Sequence, residues 1–298
     1  MNSILILISV LAFTCNGFGT RLFQTRFPHA ERRLPLYQAL FCFLSFLCFW
    51  GYGRFALPTA ETVWYGLAFG VLFFLATAMG AKCYEIGSMA LTSVIMNMSL
   101  IVPLLYSIIF LHEQIKLPHI IGFAFFCASV LCSSLTKGEQ KKGSLLWLCL
   151  VMVGFASNGL TATIQKIYVF NAAQNQDSVF LAVAYLMATL CFLGTFFIRQ
   201  RTSESLSVET VKPMGTGGLA RLFAIALLAG VGSFGGNLLL GRLAPVVDAA
   251  ILYPCINGGL AICTTLVSFL FFREKPTLQK VAALLLGCVA IVILNLSN

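Results

Sequence analysis

Ten apolar runs, each about as long as a membrane is thick, follow one another along this chain with little between them. They cover roughly 3–20, 35–52, 62–81, 88–111, 117–135, 144–168, 178–198, 219–240, 247–271 and 277–296. A helix rises about 1.5 Å per residue and the hydrocarbon core is about 30 Å thick, so about 20 apolar residues make one crossing. Ten crossings leave only short loops of the 298 residues, with no room for a soluble domain. A membrane β-barrel would need alternating segments of about ten residues. These runs are continuous and longer, so the pattern predicts an all-α integral membrane protein with ten transmembrane helices. Composition agrees: 59% of residues are hydrophobic and 10% charged, against about 25% charged in a soluble domain. The first run opens on "MNS", with no positive n-region and no small-residue cleavage site after it. It is expected to be a retained helix and not a signal peptide.

The net charge of +9 is not the footprint of a nucleic-acid binder, because the basic residues form no single patch. They are sorted by loop. Fifteen of the 19 Lys and Arg, among them Arg21, Arg26, Arg32, Arg33, Arg199, Arg201 and Arg221, fall in loops after odd-numbered runs; the other four are Arg54, Lys116, Lys166 and Arg242. The positive-inside rule puts the odd loops in the cytoplasm and both termini outside. Trp50, Trp64 and Trp147 each stand at the end of a run, where amphipathic rings favour the interface. The setting expected is a cell (inner) membrane, crossed many times.

The chain is also written twice. "FTCNG" at 13–17 returns as "FASNG" at 155–159, an offset of 142. "AKCYEIGSMAL" at 81–91 meets "GRLAPVVDAAI" at 241–251, and Asn97 then meets Asn257, at an offset of 160. "SIIFLHEQ" at 107–114 meets "SFLFFREK" at 268–275, which pairs Glu113 with Glu274. The polar stretch "RQRTSESLSVETVKPMGTGG" at 199–218 is long enough to absorb most of the change in offset. The copies divide the chain into 1–136 and 144–298, five runs each. An odd number of crossings sends the second copy through the membrane upside down. The first loop of one copy holds four Arg, and its counterpart "NAAQNQD" at 171–177 holds no positive charge. The expected architecture is therefore two five-helix repeats of inverted topology, a plan common among secondary transporters, with a site near the midplane.

Both copies end in a pattern that resembles the EamA-like repeat of the drug/metabolite transporter superfamily. An apolar helix carrying Pro leads to a Glu just past its end, then to a last helix with small residues: "SMALTSVIMNMSLIVPLLYSIIFLHEQ" in one copy and "VDAAILYPCINGGLAICTTLVSFLFFREK" in the other. The resemblance spans nearly the whole chain. It implies a basket of helices around a central cavity that moves small metabolites by alternating access. Proton-driven small multidrug relatives carry a Glu inside the first helix; here the position is Asn16, so coupling at that point is not expected.

The candidate substrate-binding residues are the amides that interrupt the runs. Asn16 and Asn158 form one pair, and Asn97 and Asn257 the second, with Tyr253 and Ser93 beside the latter. An amide in hydrocarbon must find a partner. The pairs therefore read either as hydrogen-bonding links between helices or as cavity walls. Pro103 and Pro254 lie close to the second pair, and a proline frees a carbonyl one turn upstream. "PCINGG" at 254–259 is expected to unwind locally. Gly66/Gly70 and Gly232/Gly236 have the spacing of close helix packing. Glu113 and Glu274 read as interfacial turn residues, with Glu113 near Lys116, and Lys166 as an interfacial helix end. Glu85 and Asp248 are the acidic residues nearest the spans.

The eleven Cys include no C-x-x-C, and His29, His112 and His119 form no H-E-x-x-H. No catalytic residue, metal ligand or cofactor is expected, and the chain is read as a non-enzyme. The function expected is a carrier or exporter of small organic metabolites such as amino acids. A flippase for a lipid or lipid-linked sugar and a non-transporting interaction subunit stay open as alternatives. The expected partners are a small-molecule solute and membrane lipid, with the chain a monomer or homodimer.

Overall fold

The computed structural model describes residues 2–27, 30–87, 89–134, 144–171, 176–205, 215–271 and 278–296. Among them there is no strand, and the helices are α1 (Asn2–Arg26), α2 (Ala30–Tyr52), α3 (Ala60–Ile86), α4 (Met89–Met98), α5 (Ile101–Phe110), α6 (Leu117–Ser134), α7 (Leu145–Asn171), α8 (Asp177–Ser205), α9 (Thr216–Leu243), α10 (Ala249–Phe271) and α11 (Leu278–Leu296). Eight helical segments are long and apolar enough to cross a membrane, counting Leu91–Phe110 as one across α4 and α5. Two further apolar stretches, Leu117–Cys132 and Val281–Leu294, are shorter. The chain is a multi-pass helical membrane protein. Its surface says the same: Ile4, Leu7, Ile8 and Leu11 make an outward stripe on α1 that is roughly half exposed or more. Such a stripe at helical spacing is stable only against lipid or another apolar face.

The helices gather into two compact units. One comprises Met1–Leu11, Leu75–Asn171 and Leu239–Asn298; the other comprises Ala12–Phe74 and Ala172–Leu238. Each draws on both sequence copies, so the compact units cut across the proposed repeats.

In the second unit α2 and α8 run against each other along their length. Small residues on α3 let that helix, too, come close to α8. A Cβ on Gly70 would stand 2.4 Å from the Ala184 carbonyl oxygen, and one on Gly66 would stand 2.8 Å from Val183. The Gly232/Gly236 spacing works likewise, since a Cβ at Gly232 would meet the Ala12 carbonyl oxygen at 2.5 Å. Both glycine pairs thus pack as their spacing predicts. Aromatic rings fill the remaining space: Phe23 stacks on Tyr37 at 4.4 Å, and Phe49, Phe180, Tyr185 and Phe192 are fully buried.

In the first unit α6 lies along α11, fastened by Ser129 Oγ donating to the Ala283 carbonyl at 2.6 Å. Trp147 departs from expectation. It is not an interfacial anchor but is buried, its Nε1 donating to Thr92 Oγ1 at 3.0 Å. Its ring occupies the space a side chain at Gly87 would need. Trp50 and Trp64 are partly or largely exposed, at 38% and 73%, as interfacial rings would be.

Candidate functional site

The unwinding expected at 254–259 is found instead near Pro103. α10 runs unbroken through Pro254, whereas the span 89–110 is interrupted between α4 and α5. Pro103 has no N–H to give the Ser99 carbonyl one turn upstream. The chain tightens there into three-residue turns, with Ser99 N donating to Met96 O at 3.3 Å and Val102 N to Ser99 O at 3.0 Å. At the start of α10, Ala249 N donates to Glu113 Oε2 at 2.8 Å, and the Asp248 carbonyl accepts from Ile251 and Leu252 in the helix's own first turn.

A break in the middle of a span leaves backbone groups that lipid cannot satisfy. Asn158 meets them. Its Nδ2 donates to Ser99 Oγ at 2.7 Å and reaches Met96 O at 3.4 Å, while Ser99 Oγ donates to the same Met96 carbonyl at 2.7 Å. Gly159, next along α7, lets the helices approach: a Cβ there would lie 2.6 Å from Val102 Cβ and 2.7 Å from Ser99 O. At 158–159, then, the Asn satisfies the break and the Gly makes room for it.

One and two turns further along α7 the same stripe continues. The Ala162 carbonyl accepts from Tyr253 Oη at 3.2 Å, joining α7 to α10. Lys166, fully buried, donates its ammonium to Glu113 Oε1. Positions 158, 162 and 166 are spaced i, i+4, i+8, so they stack on one face over about 12 Å. Glu113 is thus neither exposed nor paired with Lys116, and Lys166 is not at the helix end. Together with the Ala249 N–H they form a buried charge pair linking the α5–α6 turn, α7 and α10. His112 turns the chain toward this pair through a left-handed conformation, φ 54°, which is uncommon for a residue with a side chain. Glu274 and His29 lie outside the described residues.

Five of the six candidate binding residues belong to this first unit. Asn97 donates to the Ser93 carbonyl at 2.7 Å, and Asn257 to the Tyr253 carbonyl at 3.0 Å. Both amides make the same bond one turn back on their own helices, and both are half-buried. Ser93 Oγ stands 3.4 Å from Tyr84 Oη. Tyr253 is buried on α10. Asn16 belongs to the second unit, where its Nδ2 donates to the Ala229 carbonyl at 3.1 Å, linking α1 to α9. Glu85 is ion-paired at the surface with Lys82 at 2.6 Å, and Asp248 is exposed.

The sequence reading missed a second polar cluster. In the second unit Tyr185 Oη bonds Ser233 Oγ, and Asn237 Nδ2 donates to Tyr185 Oη at 3.0 Å and to Ser233 O at 3.0 Å. All three are buried. The signal was present: "GSFGGN" at 232–237 carries Ser and Asn four residues apart, one face of one helix. No group of three or more His, Cys, Asp or Glu that could hold a metal ion occurs among the described residues.

No family model and no curated protein matches the chain. A solved structure, described only as the crystal structure of a protein, is similar over 100% of this chain and 99% of its own, with a TM-score of 0.69 and 13% identity. At that identity the likeness is one of fold.

Proposed function

We propose that the chain is a secondary transporter of small organic solutes, working by alternating access in a cell (inner) membrane. It is built as ten spans in two inverted repeats of the EamA-like kind. The observation that carries this reading is the matched pair Asn97 and Asn257. Each spends its amide N–H on its own helix, each keeps its Oδ1 without a partner among the described residues, and each is half-buried within an apolar span. An amide oxygen held so is a ready acceptor for a solute's ammonium or hydroxyl. Ser93 and Tyr253, one turn back from the two amides on the same helices, are polar and uncharged. That chemistry fits a neutral or zwitterionic molecule such as an amino acid. The broken span beside Asn158 adds to the reading, because discontinuous helices at mid-membrane are where carriers place their sites.

The test is flux of labelled amino acids and related metabolites, inward and outward, through liposomes holding the purified full-length protein. Saturable movement above empty vesicles is expected, and Asn97→Leu with Asn257→Leu is expected to abolish it while the protein still inserts. Flux no greater than in empty vesicles across the tested solutes would remove the reading.

A further inference from the structure

Three arginines line a cavity that the transport reading does not use. It belongs wholly to the second unit and has a volume of about 690 Å³. Arg26 at the end of α1, Arg33 at the start of α2 and Arg221 in the first turns of α9 project from three helices into its lining. Among the described residues of that lining there is no carboxylate. The remaining wall is apolar, with Leu22, Phe27 and Ile225, and Gly215 and Gly218 leave one side free of bulk.

Arginines from three separate helices lining one cavity suit an oxyanion. A phosphate group takes two parallel N–H donors from each arginine, which a compact ammonium cannot offer. The volume lies within the usual range for small-molecule sites, about 300–1,000 Å³. The apolar wall asks for hydrocarbon beside the charge. The three arginines also sit at helix ends on the arginine-rich side of the protein, which the positive-inside rule places at the cytoplasmic leaflet. Anionic lipids concentrate there and attract basic side chains.

We propose that this cavity binds a phosphate-bearing anion, the headgroup of an anionic phospholipid of the cytoplasmic leaflet or a soluble phosphate ester, through Arg26, Arg33 and Arg221. The site is separate from the amides proposed to bind solute, and it stands whether or not the chain transports.

The experiment uses the full chain, purified in maltoside and stripped of lipid. Native mass spectrometry counts adducts of phosphatidylglycerol and of phosphatidylcholine at equal concentration. A preference of about tenfold for the anionic lipid is expected from the surface attraction of several arginines. Arg33→Gln with Arg221→Gln is expected to bring that preference close to one. Arg199→Gln with Arg201→Gln, which removes the same charge from the end of α8, is expected to leave it. Arg33→Lys with Arg221→Lys keeps the charge but loses the bidentate fork, and is expected to fall between. Thermal unfolding in inorganic phosphate, against chloride at equal ionic strength, separates the two sources. Arginine-dependent stabilisation by phosphate without lipid preference assigns the cavity to a soluble phosphate ester; lipid preference assigns it to the headgroup. Equal loss in the α8 control, or no response to either ligand, overturns the proposal.

Discussion

Lys166 is fully buried and gives its ammonium to Glu113, 53 residues earlier in the chain, whose other carboxylate oxygen receives the N–H of Ala249. One carboxylate thereby ties three elements of the first unit together. Removing one partner of a buried ion pair leaves the other charge uncompensated, at about 3–5 kcal/mol. Lys166→Met and Glu113→Gln are each expected to destabilise the protein on that scale. The double variant is expected to lose clearly less than the sum, because neither charge is then stranded. Denaturation in maltoside micelles, followed by tryptophan fluorescence, measures all three.

Asn158 answers the helix break, and its worth is a bond between spans. Such bonds average about 0.6 kcal/mol and reach about 1.7 in membrane proteins. Asn158→Ala is expected to cost an amount in this range. Combined with Ser99→Ala, it should show coupling, since both side chains serve the Met96 carbonyl. A double-mutant cycle with strictly additive losses would mean that the two groups do not act together.

The glycines divide into those that packing requires and those it does not. At Gly159 and Gly70 an added Cβ meets backbone atoms within 3.0 Å. Ala there is expected to cost about 1–3 kcal/mol through overpacking. Gly194, inside α8, has nothing within 4 Å of such a Cβ. Gly194→Ala is expected to be neutral or stabilising, by up to about 1 kcal/mol, because Gly is the poorer helix former. Melting curves of the three variants in one detergent provide the comparison.

The buried indole of Trp147 is held to Thr92 through its N–H. Thr92→Val removes the acceptor and leaves that donor buried without it. A loss of about 1–3 kcal/mol is expected. Trp50→Phe, at the exposed end of α2, is expected to change stability by less than about 0.5 kcal/mol, as surface substitutions do. The same unfolding assay reports both.

The membrane character of the chain and nearly all its helix positions were legible in the residues, because burial in hydrocarbon is a bulk demand. A run of about 20 apolar residues has few other homes. The pairing of Asn158 with Gly159 was legible as an anomaly, since an amide in lipid must find a partner. Which partner it finds was not. That depends on the backbone break at Ser99, and the break depends on Pro103 together with a neighbour able to satisfy the freed carbonyls. The same reasoning applied to Pro254 gave the wrong place. Nothing local to "YPCING" reports that Glu113 receives the Ala249 N–H at the start of α10.

Charge shows the division most sharply. The sorting of basic residues among the loops was legible in the sequence, for that is a count along the chain. Sequence alone read Lys166 and Glu113 as interfacial, the usual place for such residues, and could not see them buried against each other. Their partnership joins positions 53 residues apart and exists only once α5, α7 and α10 have met. Local sequence sets what each segment must bury; the tertiary structure alone decides against what, because the energy of a buried charge or amide lies in its partner and not in itself.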